Sequence, residues 1–279
     1  MFRRTGDSTT YIHDGLLQKK KDFEVKLTFD PDPSHAVDSD IIFCRFEIPI
    51  NRPFLESLIE IEREGGRLFI NSPRAKLYES TKRNLRHFVG QEWLPQTCIT
   101  SDPYEAAEFM RSLEGKIVTK PTDQNGGKGV EIHDREKMSY RHALELAQRL
   151  TAQGTTQYVF QACIKDVEKL GDKRINVFMY EPVNAVLRLP KEGSKICNMS
   201  AGGSIERAVV TEKDLNMIEG MKPTLRALGI TWAGIDVIGN YLTELNVSSP
   251  GALLEADELN GNTYGRDRVI ELLIKHRIR

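Results

Sequence analysis

The chain has 279 residues, 39% of them hydrophobic, which suffices for one large core or two modest ones and excludes a chain disordered throughout. Its 39 Lys and Arg against 40 Asp and Glu leave a net charge of −1, so no global field draws it onto nucleic acid or a membrane. Cys44, Cys98, Cys163 and Cys197 form no C-x-x-C pair, and there is neither an apolar leader nor a bilayer-length apolar run; a soluble, cytoplasmic protein is expected.

Residues 1–39 are polar, carry Lys19-Lys20-Lys21, are broken by Asp30-Pro31-Asp32-Pro33 and lack a sustained period, so a loosely packed lead-in is expected. The lysine run reads as a solvated face, because three charges without interleaved aromatics carry little specificity. The apolar run 40–46 reads as a buried strand. Pro53 then opens a helix with Phe54, Leu55, Leu58 and Ile59 on one face, stopped by Gly65-Gly66, and a strand follows over 67–71. This strand–helix–strand unit suggests a small parallel α/β element. From about residue 79 the rhythm changes, which divides the chain into 1–78 and 79–279. Strands are predicted over 97–100, 116–120, 130–133, 157–161, 175–180 and 183–189, and helices over 104–113 and 140–152. A helix over 212–228, strands over 233–238 and 242–246, and a terminal helix after Gly265 complete the pattern.

Three stretches carry candidate chemistry. The first is a strand ending at Lys120, the Gly-rich turn Gly126-Gly127-Lys128-Gly129 and a second strand. Glycines there let backbone N–H groups close on phosphate oxygens while lysines neutralise charge. Taken alone, it is equally a hairpin whose glycines supply positive φ. It is not a Walker A loop, because Gly129 stands where Ser or Thr should follow Lys128 and no helix comes next. The second stretch runs from Asp236 to Asn246, where two strands carry Asp236, Glu244 and Asn246, oxygen donors suited to magnesium. Side chains alternate along a strand, so a regular two-residue turn at Gly239-Asn240 puts Asp236 on the opposite face from Glu244 and Asn246. A shared metal site therefore requires a three-residue loop over 239–241 or a bulge. Third, Arg174 and Arg188 lie on apolar strands, and the run Asn198-Met199-Ser200-Ala201-Gly202-Gly203 follows. In isolation the arginines read as surface ion pairs; beside a phosphate loop and acids they read as clamps for a phosphoryl group and a carboxylate.

In order, these stretches resemble the ATP-grasp superfamily, and most closely the prokaryotic glutathione synthetases. The likeness runs from about Asp40 to the C-terminus. It is strongest in Gly171-Asp172-Lys173-Arg174, Arg188-Leu189-Pro190, 198–203, and from Gly234 through Pro250. The resemblance implies an α/β (α+β) ATP-grasp fold, two α+β subdomains enclosing ATP, behind a shortened N-terminal element. It assigns the nucleotide phosphates to Lys82, Lys120 and the turn Gly126-Gly127-Lys128-Gly129, and adenine to the segment from Gln161 to Ile164. It gives Asp236, Glu244 and Asn246 two magnesium ions, or manganese in their place. Arg174, Arg188 and Asn198 are implied in catalysis, and Arg45, Gly202, Gly203 and Ser249 in holding substrate.

The implied reaction joins a carboxylate to an amine through an acyl phosphate, with γ-glutamylcysteine and glycine as the leading pair. Other readings are an ATP-grasp ligase for another amino acid or peptide pair, a non-catalytic nucleotide-binding homologue, or a small-molecule kinase. Small-molecule or dipeptide substrates, no nucleic acid or membrane partner, and a homo-oligomer of two or four chains follow from the same resemblance. The chain departs from the family in its shorter N-terminal region, in Cys163 where an aromatic residue is common, and in Lys128 where a small residue is usual.

Overall fold

A computed structural model of the chain describes residues 2–5, 10–13, 41–44, 52–78, 84–122, 129–165, 167–190, 203–248 and 250–277. Two antiparallel sheets dominate, each with one face closed by helices. The larger has the order β11-β10-β9-β12-β13, with β9 at Asp172–Phe178, β10 at Glu181–Leu189, β11 at Ser204–Arg207, β12 at Trp232–Ile238 and β13 at Tyr241–Asn246. Alternation sends Ile175, Val177, Ala185, Ile235, Val237 and Leu245 to one face. There they pack on Met217, Ile218, Met221 and Leu225 of helix α5, Glu212–Ala227. A capping box starts that helix: Thr211 accepts from the Asp214 amide, and Asp214 accepts from the Thr211 amide at 2.7 Å and from Lys173 Nζ at 2.6 Å.

The second sheet has the order β5-β8-β6-β7: β5 Thr97–Thr100, β6 Lys116–Pro121, β7 Glu131–Asp134 and β8 Tyr158–Ala162. Helices α2, Pro103–Ser112, and α3, Tyr140–Leu150, cover one face. Ala106, Ala107, Met110, Ala143 and Ala147 lie against Ile117 and Phe160, the small residues letting the helices approach closely. Asp102 caps α2 ahead of Pro103, and Ser139 caps α3. By register the opposite face carries Val118, Lys120, Val159 and Gln161.

Ahead of these sheets, β3 at Ile41–Phe43 and β4 at Leu68–Ile70 pair in parallel, joined by helix α1, Arg52–Glu64. Ile70 enters a core with Phe178, Trp232, Val269 and Leu272, so this unit packs on the end of the larger sheet. Asn71 staples the junction. Its Nδ2 donates to the Trp232 and Val247 carbonyls, both at 2.7 Å, and its Oδ1 accepts from the Thr231 amide at 2.7 Å.

The predicted elements recur with ends moved by up to three residues, and the structure adds others. Phe2–Thr5 and Thr10–His13 pair as antiparallel β1 and β2 inside the lead-in expected to be loosely packed. Short helix α4, Val167–Leu170, leads into β9. Helix α6, Leu253–Asn260, escaped the reading because its N-cap is Ala252 in the left-handed region, with no side-chain cap to announce it. Asp257 within it caps the terminal helix α7, Tyr264–Arg277, accepting from the Gly265 and Arg266 amides at 2.8 and 3.0 Å. Among the described residues no helix is long and apolar enough to cross a membrane.

Candidate active site

The hairpin of β12 and β13 decides whether the three oxygen donors share a face. Ile238 pairs with Tyr241, so the turn is the two-residue Gly239-Asn240, and the three-residue loop is not formed. A bulge between Asp236 and Val237 restores the face instead. Val237 pairs with Leu242, Thr243 is the additional residue, and Asp236 stands opposite Glu244 with Gly234 opposite Asn246. The bulge also lets Leu242 and Leu245, three apart, both reach the core. Asn246 Nδ2 donates to Asp236 Oδ2 at 3.3 Å, so the amide touches the acid it was expected to accompany.

Across the sheet the same face carries both arginines. Asp236 is the ladder partner of Arg174, and Arg188 is the partner of Asp172. Arg174 holds Asp236 through two nitrogens, Nε to Oδ1 and Nη2 to Oδ2 at 2.9 Å. Arg188 Nη2 lies 2.8 Å from Asp236 Oδ2 and 2.5 Å from Asp172 Oδ2. All four residues are buried, which removes the surface ion-pair reading of the arginines. Burial would raise the Asp236 carboxyl, but the two guanidinium groups outweigh it and bring it down to about 2. Asp172 moves the other way: burial, then the neighbouring charge of Asp236, raise it against the opposing charges of Arg188, which touches it, and Arg174. Burial opposes the charges on Arg174 and Arg188 as well, and Asp236 overcomes it in both.

These donors fit a hard divalent cation, being two carboxylates and an amide oxygen on one face, with Asp236 held ionised. Among the described residues no three His, Cys, Asp or Glu side chains gather as a metal site; the expected set has two acids and takes its third donor from an amide. Two cavities of about 350 and 370 Å³ open elsewhere, one beside Tyr180, Arg226 and Lys275 and the other beside Phe88 and Pro223. Neither is lined by a residue of this polar face.

On the second sheet, Lys120 Nζ donates to Gln161 Oε1 at 2.8 Å, and Gln161 Nε2 donates to Thr97 Oγ1 at 2.8 Å. Buried Gln161 thus aims the lysine through its side chain, a role the sequence did not suggest. In the adenine segment the Ala162 and Cys163 amides already donate to the Gln96 and Lys116 carbonyls, at 2.8 and 2.9 Å. Reading of a purine edge by those two donors is therefore closed, and Ile164, partly buried, is the next position along. Gly129 has φ +71°, and an added Cβ would meet Pro121 Cγ at 2.9 Å, so only glycine fits where the turn rejoins the sheet. Gly203 is partly buried and leads into β11. Arg45, Lys82, Gly126, Gly127, Lys128, Asn198, Gly202 and Ser249 lie outside the described residues.

Asp172 was quoted in a motif but given no part. The signal was present: it stands two residues before Arg174 on one strand, and therefore on the same face.

Comparison with known proteins bears on the family and the fold. Residues 83–261 match the model of the prokaryotic glutathione synthetase ATP-grasp domain. A glutathione synthetase of Gloeobacter violaceus is 31% identical over 246 residues, covering 86% of this chain and 74% of that protein. One from Mesorhizobium japonicum is 33% identical over 226 residues, 80% and 70% of the two chains. Among solved structures, the D-cycloserine synthetase DcsG superposes with a TM-score of 0.60 at 15% identity, covering 85% of each chain. The D-alanine–D-alanine ligase of Bacillus anthracis, complexed with ATP, gives 0.57 at 14% identity, covering 88% of this chain and 81% of that one. The chain belongs to the prokaryotic glutathione synthetase family and is an ADP-forming carbon–nitrogen ligase of α+β ATP-grasp fold.

Proposed function

We propose that the chain condenses γ-glutamylcysteine with glycine, consuming ATP and releasing ADP and phosphate. The observation that carries this reading is the bulged register, which sets Asp236, Glu244 and Asn246 on one face beside Arg174 and Arg188. Oxygen donors next to two buried guanidinium groups suit a reaction in which anionic oxygens must meet at one centre. Asp236, Glu244 and Asn246 would hold magnesium, or manganese in its place, which would supply positive charge to neutralise the nucleotide phosphates.

Lys120, aimed by Gln161, and Lys82 neutralise the β- and γ-phosphates, while Gly126, Gly127, Lys128 and Gly129 close over them. Gln161 and Ile164 flank the adenine. A carboxylate oxygen of the first substrate attacks the γ-phosphorus; the new P–O bond forms as the bond to the ADP oxygen breaks. The amine then attacks the acyl carbon, phosphate leaves, and the amine gives up a proton. Arg174 and Arg188 hold the charged oxygens in both steps, and Asn198, Gly202, Gly203, Ser249 and Arg45 orient the substrates. Positioning and charge neutralisation supply the catalysis, so no side-chain nucleophile is needed. The division at 78/79 separates a carboxylate-substrate part from the nucleotide domain in this reading. The enzyme works in the cytoplasm as a homo-oligomer of two or four chains.

ADP release measured against a panel of dipeptides and amino acids tests the proposal. Turnover with γ-glutamylcysteine and glycine is expected. Turnover only with another pair replaces the substrates while keeping the chemistry, and a stable phosphorylated product without free phosphate makes the enzyme a kinase and overturns the reading.

A further inference from the structure

Among the described residues, Asp172 is the one buried acid of the polar face without a part in the proposed reaction. It opens β9 directly after Gly171, whose φ is +65° and whose missing Cβ would stand 2.9 Å from the Arg188 carbonyl oxygen. The chain thus enters β9 pressed against the strand that carries Arg188, which fixes Asp172 relative to that arginine. The two arginines are held differently. Arg174 grips Asp236 with two nitrogens, whereas a single nitrogen of Arg188, Nη2, is shared between Asp236 and Asp172. Among the described residues, two buried atoms of this group have no hydrogen-bond partner, Arg188 Nε and Asp172 Oδ1. A buried N–H without an acceptor is costly, and a guanidinium recovers that cost when an anionic oxygen arrives.

We propose that Asp172 is a positioning residue that holds Arg188 on the polar face independently of Asp236. Once the Asp236 carboxylate is drawn toward a cation, its hold on Arg188 weakens, and Asp172 keeps the guanidinium in place with Nε directed to the reacting oxygens. This inference rests on the reading of Arg188 as a group that touches those oxygens.

The test is Asp172→Asn, which keeps the volume and removes the charge. Expected are a fall of about tenfold or more in kcat for ADP release and a several-fold rise in KM for the carboxylate substrate. Binding of a non-hydrolysable ATP analogue with magnesium, by titration calorimetry, should stay within about twofold. Arg188→Lys should show the same split, and the double variant should be no worse than the weaker single one, because both remove one interaction. A second arm needs no turnover. Nitrogen-15 NMR of the arginine side chains should show an Arg188 Nε–H signal, identified by its absence in Arg188→Lys, that broadens or vanishes in Asp172→Asn while the Arg174 signal persists. An unchanged Arg188 signal, or additive losses in the double variant, overturns the positioning role. Should the wild-type chain release no ADP with any substrate pair, the proposed function fails while the NMR arm still decides the role of Asp172.

Discussion

Asp236 and Glu244 face each other across one hairpin, yet they call for different tests. Removing Asp236 would leave two buried guanidinium groups short of a counter-charge, at about 3–5 kcal/mol, so lost activity there would say little about catalysis. Glu244 is only partly buried, so Glu244→Gln separates the two effects. We expect turnover to fall on the order of 100-fold with a melting temperature within a few degrees of wild type. Equal activity in that variant would favour a nucleotide-binding protein without catalysis. A second residue reports on the other sheet. His133 packs with its ring beside Thr119 Oγ1 at 3.1 Å, and burial, the largest influence, holds it below the ordinary 6.5. The unfolded chain therefore binds a proton there more readily than the folded one. The resulting stability is complete above pH 6.5 and is lost as pH falls below it. Urea midpoints at pH 7.5 and 5.5 should differ less for His133→Gln than for wild type.

At the scale of elements, the sequence announced the strands and most helices because alternation, capping residues and paired glycines are local signals. It posed the face problem of Asp236 against Glu244 but not its answer. A bulge at Thr243 and a longer turn satisfy the same parity, and the choice depends on packing Leu242 and Leu245 together against α5. Gln161 shows the other limit: its backbone position was legible, whereas its side-chain bridge from Thr97 to Lys120 joins three strands far apart in sequence. The entry to β9 gives a prediction at this scale. Gly171→Ala must hold a left-handed conformation and place its Cβ 2.8 Å from Leu187 Cδ1 and 2.9 Å from the Arg188 oxygen. A cost of about 2–4 kcal/mol follows from strain and overpacking together. Gly65→Ala is the control: its φ is +77°, but nothing lies within 4 Å, so about 1 kcal/mol is expected. Denaturant midpoints of the two variants check the difference; equal losses would mean that β9 is not pressed against β10 as described.

For the whole molecule, each large sheet packs one face on helices and carries charged or amide side chains on the other, Arg174, Arg188 and Asp236 on one and Lys120 and Gln161 on the other, with α6 and α7 meeting the first of these faces at Asn184 and Phe178. A fold selected for stability alone has little reason to bury that much charge, since well-packed apolar residues of similar volume often serve as well or better. The charge is instead a debt against a ligand, and binding should return it. A nucleotide analogue with magnesium at about 100 times its dissociation constant adds about 2.7 kcal/mol to the folded state, or roughly 5–10 °C in melting temperature for a chain of this size. A chelator should remove most of that shift, because without the cation the acids on β12 and β13 repel the phosphates. Glu244→Gln should reduce the magnesium-dependent part and leave the remainder. Glycine alone should give little shift in the absence of nucleotide. Melting curves across these conditions therefore test whether the polar faces act as one nucleotide site, and a shift indifferent to magnesium would remove the Asp236–Glu244–Asn246 face from that site.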